Sequence, residues 1–335
     1  MVNYHFFDFL IIGNISTEFI VDLNNRPHND LLGGSALYAA GGTRCWCDRI
    51  ALISKTHHTH ARRLQTLHKR YLVDIEGIKY PAGQAETKHF FGYLSPHEVF
   101  CGNPVPFYAS RKIEFPKGLL DYASAYDRTP AARMNKFLLE DFPIQYRDIC
   151  TALVCKCSLP IQLQLTSLLQ KFATTRLILQ ASDDYMQLEH FEMMPMLLKD
   201  VTAFIATERQ VIKLFQNRLH DKWEMLESLA MMGCENVIVE DSNFGHTLFQ
   251  KQTGKRTHIP AYPAPLNDPT GYQESFCGGF MAGIKRDLDP IEGLLCGAIS
   301  ASFTAEGSGP FYCADAYPSL MQSRFNFAKK LIKKG

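Results

Sequence analysis

No apolar run in this chain approaches the ~20 residues that a membrane-spanning helix needs, so a bilayer partner is not expected. Charge of one sign is scarce too: 35 Lys and Arg stand against 34 Asp and Glu, a net charge of +1. That balance removes the electrostatic case for nucleic acid or an anionic membrane. The start lacks the basic stretch, apolar run and small-residue cleavage site of a secretion signal, and a cytoplasmic location is expected. Internal repeats and low-complexity tracts are absent. Among 10 cysteines there is no C-x₂-C half of a zinc site; Cys45/Cys47 and Cys155/Cys157 have C-x-C spacing instead. Neither a structural metal nor a disulfide is therefore expected. Cys150, Cys234, Cys277 and Cys296 lie in apolar runs and read as small buried hydrophobes. His57, His58 and His60 have no acidic or thiol neighbour and read as a solvated loop.

What the chain does have is apolar content: 46% of 335 residues, enough for one large domain or a domain with a small accessory unit. Phe6 to Ile12 is apolar and stops at Gly13, as a buried first strand does. Gly33 and Gly34 open a small-residue helix to Gly42, and Arg49–Ser54 reads as a second strand. Ala61–Tyr71 has helical spacing, followed by strand-like pieces around Glu76–Tyr80 and Thr87–Leu94. Residues 95–148 show no sustained period and predict loops with one or two short helices. From Thr151 strand-like runs (Ala152–Cys155, Arg176–Gln180, Ala203–Ala206, Asn236–Val239) alternate with helical ones (Ile161–Phe172, Phe191–Leu198, Arg209–Phe215, Trp223–Met232). Such alternation builds a mainly parallel sheet with helices on both faces. Gly245–Phe249 and Thr257–Ala261 predict a late antiparallel pair, and three helices close the chain: Glu274–Lys285, Pro290–Ala305 and Tyr317–Lys330. The lysines from Lys329 to Lys334 read as a solvated helix end.

The stretch richest in chemistry is Asp268-Pro269-Thr270-Gly271-Tyr272-Gln273-Glu274, followed by Ser275-Phe276-Cys277-Gly278-Gly279-Phe280. It reads as a turn into a helix with a carboxylate in the first turn. Amides at a helix start are unpaired and face the positive end of the dipole, so they suit an anion such as phosphate. Glu274 then has two readings: a base for an attacking hydroxyl, or an acid that merely complements the dipole. Gly33 and Gly34 read either as a tight turn or as part of a substrate site. Gly278, Gly279 and Gly283 permit close helix approach, and Phe276, Phe280 and Ile284 share a core-facing stripe. Both glycine turns follow strand-like segments, so they can face one crevice beyond the strand ends.

Together these features resemble the ribokinase (PfkB) family of sugar and nucleoside kinases across nearly the whole chain. Gly13-Asn14-Ile15-Ser16-Thr17-Glu18 resembles the family's first strand and substrate turn. Gly33-Gly34-Ser35-Ala36-Leu37-Tyr38-Ala39-Ala40 resembles its di-glycine signature, and Asp268–Phe280 its C-terminal signature. The resemblance implies a single domain over residues 1–335: a three-layer αβα Rossmann-like sheet with a small β-sheet lid, its strands from about 16–32 and 76–95. It implies transfer of phosphate from ATP with magnesium to a sugar or nucleoside hydroxyl. A carboxylate at position 274 would act as base, and Gly271, Tyr272 and Gln273 would form an anion hole. Ser16, Glu18, Gly33, Gly34 and Tyr38 would contact substrate. A homodimer through the lid, or a protein partner, would complete the assembly.

The departures from the family pattern fall on the chemistry. Its G-A-G-D reads Gly271-Tyr272-Gln273-Glu274 here, and the extra methylene of Glu274 displaces the carboxylate by more than ~1 Å, a shift that can cost ~100-fold in rate. If position 273 requires a glycine-only conformation, Gln273 deforms the anion hole. The substrate Asp appears as Glu18, and a common Asn as Tyr38. The metal-water motif N-x-x-E aligns with Thr207-Glu208-Arg209-Gln210, leaving Glu208 as a partial substitute. The nucleotide loop aligns with Glu240-Asp241-Ser242-Asn243-Phe244-Gly245, whose two carboxylates would repel a triphosphate. Read without the family, Glu208 and Glu240 are solvated loop residues. The expectation is an impaired or repurposed kinase, or a silent relative that serves as a ligand-binding or interaction subunit.

Overall fold

The computed structural model describes residues 7–120, 122, 136–172, 174–216, 218–287 and 289–334. Phe6 and part of the 95–148 segment lie outside them. The chain opens with β1 (Phe9–Ile12), β2 (Ser16–Val21), β3 (Pro27–Gly33), α1 (Ser35–Arg44), β4 (Ile50–Lys55), α2 (Ala61–Tyr71) and β5 (Val73–Lys79). Next come β6 (Lys88–Ser95), β7 (Glu98–Phe100), α3 (Pro104–Ser110), β8 (Thr151–Val154), α4 (Leu159–Leu169) and β9 (Arg176–Gln180). After these follow α5 (Met194–Leu198), β10 (Val201–Thr207), α6 (Glu208–Phe215), α7 (Lys222–Met231), β11 (Cys234–Glu240), β12 (His246–Gln250) and β13 (Lys255–Ile259). The last are α8 (Tyr272–Asp287), α9 (Pro290–Thr304), α10 (Pro318–Lys330) and β14 (Lys333–Lys334).

The large sheet runs β14-β13-β12-β11-β10-β9-β8-β1-β4-β5. From β11 to β5 neighbouring strands are parallel, and β12 to β14 add an antiparallel edge. The parallel strands alternate between two cores. Phe9, Ile11, Ala203 and Ile205 face one side with α1, α8, α9 and α10, while Leu10, Ile12, Phe204 and Ala206 face the other with α4 to α7. Burial on both faces explains the unbroken apolar runs in these strands. Strand order reverses at β1, which sits between β4 and β8, and the crevice beyond that reversal is where such sheets hold ligands.

A second sheet, β3-β2-β6-β7, forms the lid. Strand β5, which the sequence reading assigned in part to the lid, instead pairs with β4 at the edge of the large sheet. Of the segment without a readable period, the described residues divide: Phe137, Phe142 and Tyr146 join the core on the α4 to α7 face of the large sheet, while the part around α3 covers the lid. Phe107, Tyr108 and Leu119 pack on Phe19, Val21 and Phe90, and the Phe107 ring fills the space above Gly92. That contact uses single aromatic side chains rather than a stripe, which is why no period marks it. It also covers an apolar face of the lid with the chain's own residues.

Other differences have local causes. The helix expected over Phe191–Leu198 splits into a 3-10 turn, Leu188–Met193, and α5, because Pro195 belongs in a helix's first turn. The lysine tail is not a helix end throughout: Lys333 and Lys334 pair with β13. Cys150 is exposed, whereas Cys234, Cys277 and Cys296 are buried. His60 is buried, not solvated, and bonds Thr17 Oγ1 at 2.9 Å and Thr56 Oγ1 at 2.7 Å.

Candidate functional site

A cleft of about 670 Å³ lies between the lid and the carboxyl ends of the parallel strands. Asn14 follows β1, Lys156 follows β8 and Glu240 ends β11, so separate strand ends supply the floor, and Gln180 at the end of β9 lies buried behind it. The cleft brings together Glu18, Gly34, Tyr38, Glu208, Glu240 and the Gly271–Glu274 turn. Ser16 and Gly33 lie one layer back and seat Glu18, while Gly245 lies in the turn behind Phe244.

At the lid end of the cleft Glu18 is buried and fully engaged. Its Oε1 accepts from the Gly34 amide at 2.8 Å and from Ser16 at 3.5 Å, and its Oε2 accepts from the Tyr38 hydroxyl at 3.0 Å. A Cβ on Gly33 would lie 2.1 Å from Glu18 Oε2, so the first glycine makes room for this carboxyl. Gly34 has φ 103, a left-handed conformation that suits glycine, and a Cβ there would meet the Asn14 carbonyl at 2.5 Å. Burial pushes the Glu18 carboxyl up to about 8, outweighing the Tyr38 and Gly34 hydrogen bonds, so it holds a proton near neutrality.

Glu274, the candidate base, is paired. Its Oε1 lies 2.5 Å from Lys156 Nζ and accepts from Gln180 Nε2 at 3.2 Å. Only 6% of the Glu274 side chain is exposed, against 53% of Lys156. Burial alone would raise this carboxyl, but the Lys156 ammonium and the Gln180 amide outweigh it and hold it below the usual carboxylate range. The same ion pair holds the Lys156 ammonium above its usual range.

The turn before α8 departs from expectation. From 268 to 274 only Gly271 has a positive φ, 75. Gln273 lies inside α8 and needs no glycine-only conformation; its Oε1 accepts from Gln180 at 3.0 Å. What crowds this turn is Tyr38, whose Cδ1 would lie 2.0 Å from a Cβ on Gly271. The Thr270 amide donates to Asp268 Oδ1 at 2.9 Å, which shapes the loop ahead of it.

The two carboxylates of the Glu240–Gly245 loop are not a bare repulsive pair. Asp241 is buried and bonds Lys222 at 2.8 Å, His258 at 3.1 Å and Thr247 at 3.0 Å. Burial pushes Glu240 up to about 8, with the neighbouring Glu274 charge adding to the effect. Glu208 is not a solvated loop residue. It lies in the first turn of α6, accepts from the Ser242 amide at 3.0 Å and pairs with Lys222 at 3.3 Å. Gln210 is spent on a capping box with Thr207. Among the described residues no group of three His, Cys, Asp or Glu side chains is placed to hold a metal. The Glu208 carboxylate is matched by Lys222.

The roof comes from β6. His89, Phe91 and Tyr93 alternate along the strand and face the cleft, while Phe90 faces the lid core. The rings of His89 and Phe91 stack at 5.8 Å, and the Tyr93 hydroxyl meets Thr270 Oγ1 at 3.0 Å. His97, past β6, stacks on Phe244 at 4.9 Å and so bridges the lid to the Glu240–Gly245 loop. Sequence reasoning missed Lys156, Gln180 and this row of rings. A usable signal existed: polar residues at the carboxyl ends of buried strands, and three rings at a spacing of two.

No protein-family model and no curated protein matches the sequence. Solved structures match nearly its whole length. A ribokinase of Arabidopsis thaliana, complexed with ribose and ATP, is 13% identical with a TM-score of 0.70, over 95% of this chain and 98% of that one. A fructokinase of Xylella fastidiosa with bound ATP is 11% identical with a TM-score of 0.70, over 96% of this chain and 99% of that one. A nucleoside kinase of Methanocaldococcus jannaschii, an archaeal member of the ribokinase family, is 14% identical with a TM-score of 0.65, over 96% and 98%. The fold shared with these proteins is the ribokinase-like three-layer sheet with its lid.

Proposed function

We propose that this ribokinase-like scaffold binds a sugar or nucleoside in its cleft and that its ATP-dependent phosphoryl transfer is impaired. The observation that carries this reading is the 2.5 Å contact between Lys156 and Glu274. A general base works best with a pKa near the operating pH. A carboxylate matched by an ammonium and held below its usual range has little drive to take a hydroxyl proton. Asn14 lines the cleft and can hydrogen-bond a ligand hydroxyl, and the ring-lined roof suits a flat or apolar ligand face.

A second reading, a catalytically silent ligand-binding or interaction subunit, is favoured by one feature of the donor side. Lys222 is already matched by both Glu208 and Asp241, so its charge is spent within the protein rather than on a triphosphate.

One panel tests both. The full chain is incubated with magnesium, ATP and ribose, fructose or nucleosides, with melting and ADP release followed together. Ligand binding is expected to raise the melting temperature by several degrees, with turnover about 100-fold or more below the ~1–100 s⁻¹ usual for kinases. Turnover in the usual range would sink the impaired reading. A rise in melting temperature of several degrees with ATP alone would sink the silent one.

A further inference from the structure

We propose that Cys45 and Cys313 form an oxidation-sensitive dithiol site behind the cleft, one that closes to a disulfide on exposure to hydrogen peroxide. The two residues are far apart in sequence and meet through a glycine. Cys45, half-buried, caps the C-terminus of α1; its Sγ lies 3.4 Å from the Cys313 carbonyl oxygen and 3.5 Å from the Gly41 carbonyl oxygen. Cys313, fully buried, opens the 3-10 turn Cys313–Asp315. A Cβ on Gly41 would lie 1.8 Å from the Pro310 carbonyl oxygen and 3.4 Å from Cys313 Sγ, so only glycine lets the two segments approach. Both residues are free thiols.

The surroundings of the two sulfurs differ in a useful way. Hydrogen bonding with Cys45, with smaller help from the Thr304 and Ser275 hydroxyls, lowers the Cys313 thiol against its burial. Ser275 Oγ lies 3.7 Å from Cys313 Sγ. Cys313 is thus the nucleophile of the pair. Its thiolate attacks one peroxide oxygen, the O–O bond breaks, and the departing hydroxide takes up the proton Cys313 has shed, leaving as water. Cys45 then attacks the sulfenic sulfur of Cys313. The S–S bond forms as the S–O bond breaks, and the Cys45 proton leaves with the hydroxide as a second water. Two thiols lose two electrons and two protons, and one peroxide becomes two waters.

The site touches the cleft machinery without belonging to it. Ser275 follows Glu274 and accepts from Thr304 at 2.7 Å. The loop that ends in Cys313 also carries Ser308, which donates to Asp268 at 2.5 Å. Helix α1 has Gly34 and Tyr38 at one end and Cys45 at the other. A bond between the two sulfurs would pin these elements together.

Peroxide treatment of the folded full chain, followed by thiol blocking and non-reducing peptide mapping, is expected to recover the Cys45 peptide joined to the Cys313 peptide. The joined species should melt about 5 °C higher and revert with dithiothreitol. In Cys45→Ala, which leaves the buried Cys313 in place, peroxide should instead leave a sulfenic acid at Cys313 that dimedone traps. Two thiols still free in denaturant after peroxide would overturn the proposal, as would disulfides that join either cysteine only to a different partner. Absence of the dimedone adduct in Cys45→Ala would overturn the order of the two steps.

Discussion

The Tyr38 hydroxyl donates to Glu18 Oε2 at 3.0 Å while the ring of the same residue covers Gly271. One side chain thus ties the di-glycine turn to the C-terminal signature and helps keep Glu18 buried.

A pH dependence follows from that burial. Glu18 rises from 4.5 to about 8 in the folded chain. Between those values the unfolded chain has released the proton and the folded chain retains it. Stability therefore falls as pH rises from about 4.5 to about 8, and Glu240 acts in the same direction. Glu18→Gln keeps the hydrogen-bonding shape without the proton. Urea midpoints across this window should fall less steeply in the variant than in the parent; parallel curves would refute the assignment.

Removing the counter-ion of Glu274 should be costly. Lys156→Met leaves a carboxylate with 6% exposure without its lysine, the Gln180 hydrogen bond remaining. Because Lys156 is half exposed, water repays part of the loss, and about 1–2 kcal/mol is expected at neutral pH. The stability that the pair confers is present above 4.5 and is lost as pH falls through the lower folded value. Glu274→Gln on top of Lys156→Met should recover most of the loss. Additive losses in a double-mutant cycle would mean that the pair contributes nothing.

How much of this was readable in the residues depends on the kind of interaction. The alternation of strands and helices after Thr151 was legible because burial on both faces of a parallel sheet leaves continuous apolar runs such as Ala203–Ala206. The Gly33-Gly34 and Asp268–Glu274 turns were legible because small residues and turn residues punctuate them. Lys156 was not, because one lysine after a strand looks the same whether it meets solvent or a carboxylate from a residue 118 positions later. The state of Asp241 was equally hidden: its partners Lys222, Thr247 and His258 come from three separate elements. Gln273 misled for a backbone reason, since residue type alone does not tell that the helix has already begun there.

Gly271 should tolerate no side chain. Its φ of 75 strains an L residue, and the Tyr38 ring takes up the space a Cβ would need. Gly271→Ala combines backbone strain with overpacking, together about 2–4 kcal/mol. Adding Tyr38→Ala should return the packing part and leave the strain. Thermal unfolding of the single and double variants checks this; a Gly271→Ala protein as stable as its parent would show that the loop is looser than described.

Base placement, not the residue beside it, is expected to limit any residual transfer. Gln273→Gly removes a side chain from the first turn of α8, where the backbone is already helical, so it should cost about 1 kcal/mol and leave transfer unchanged. Glu274→Asp shortens the arm and draws the carboxylate back from Lys156, loosening the 2.5 Å pair that lowers its basicity. Transfer from ATP to whichever sugar or nucleoside raises the melting temperature should therefore increase in Glu274→Asp and not in Gln273→Gly. The opposite ranking would locate the defect in the amides of the turn, because a glycine at 273 could then only act by letting that backbone reshape around phosphate.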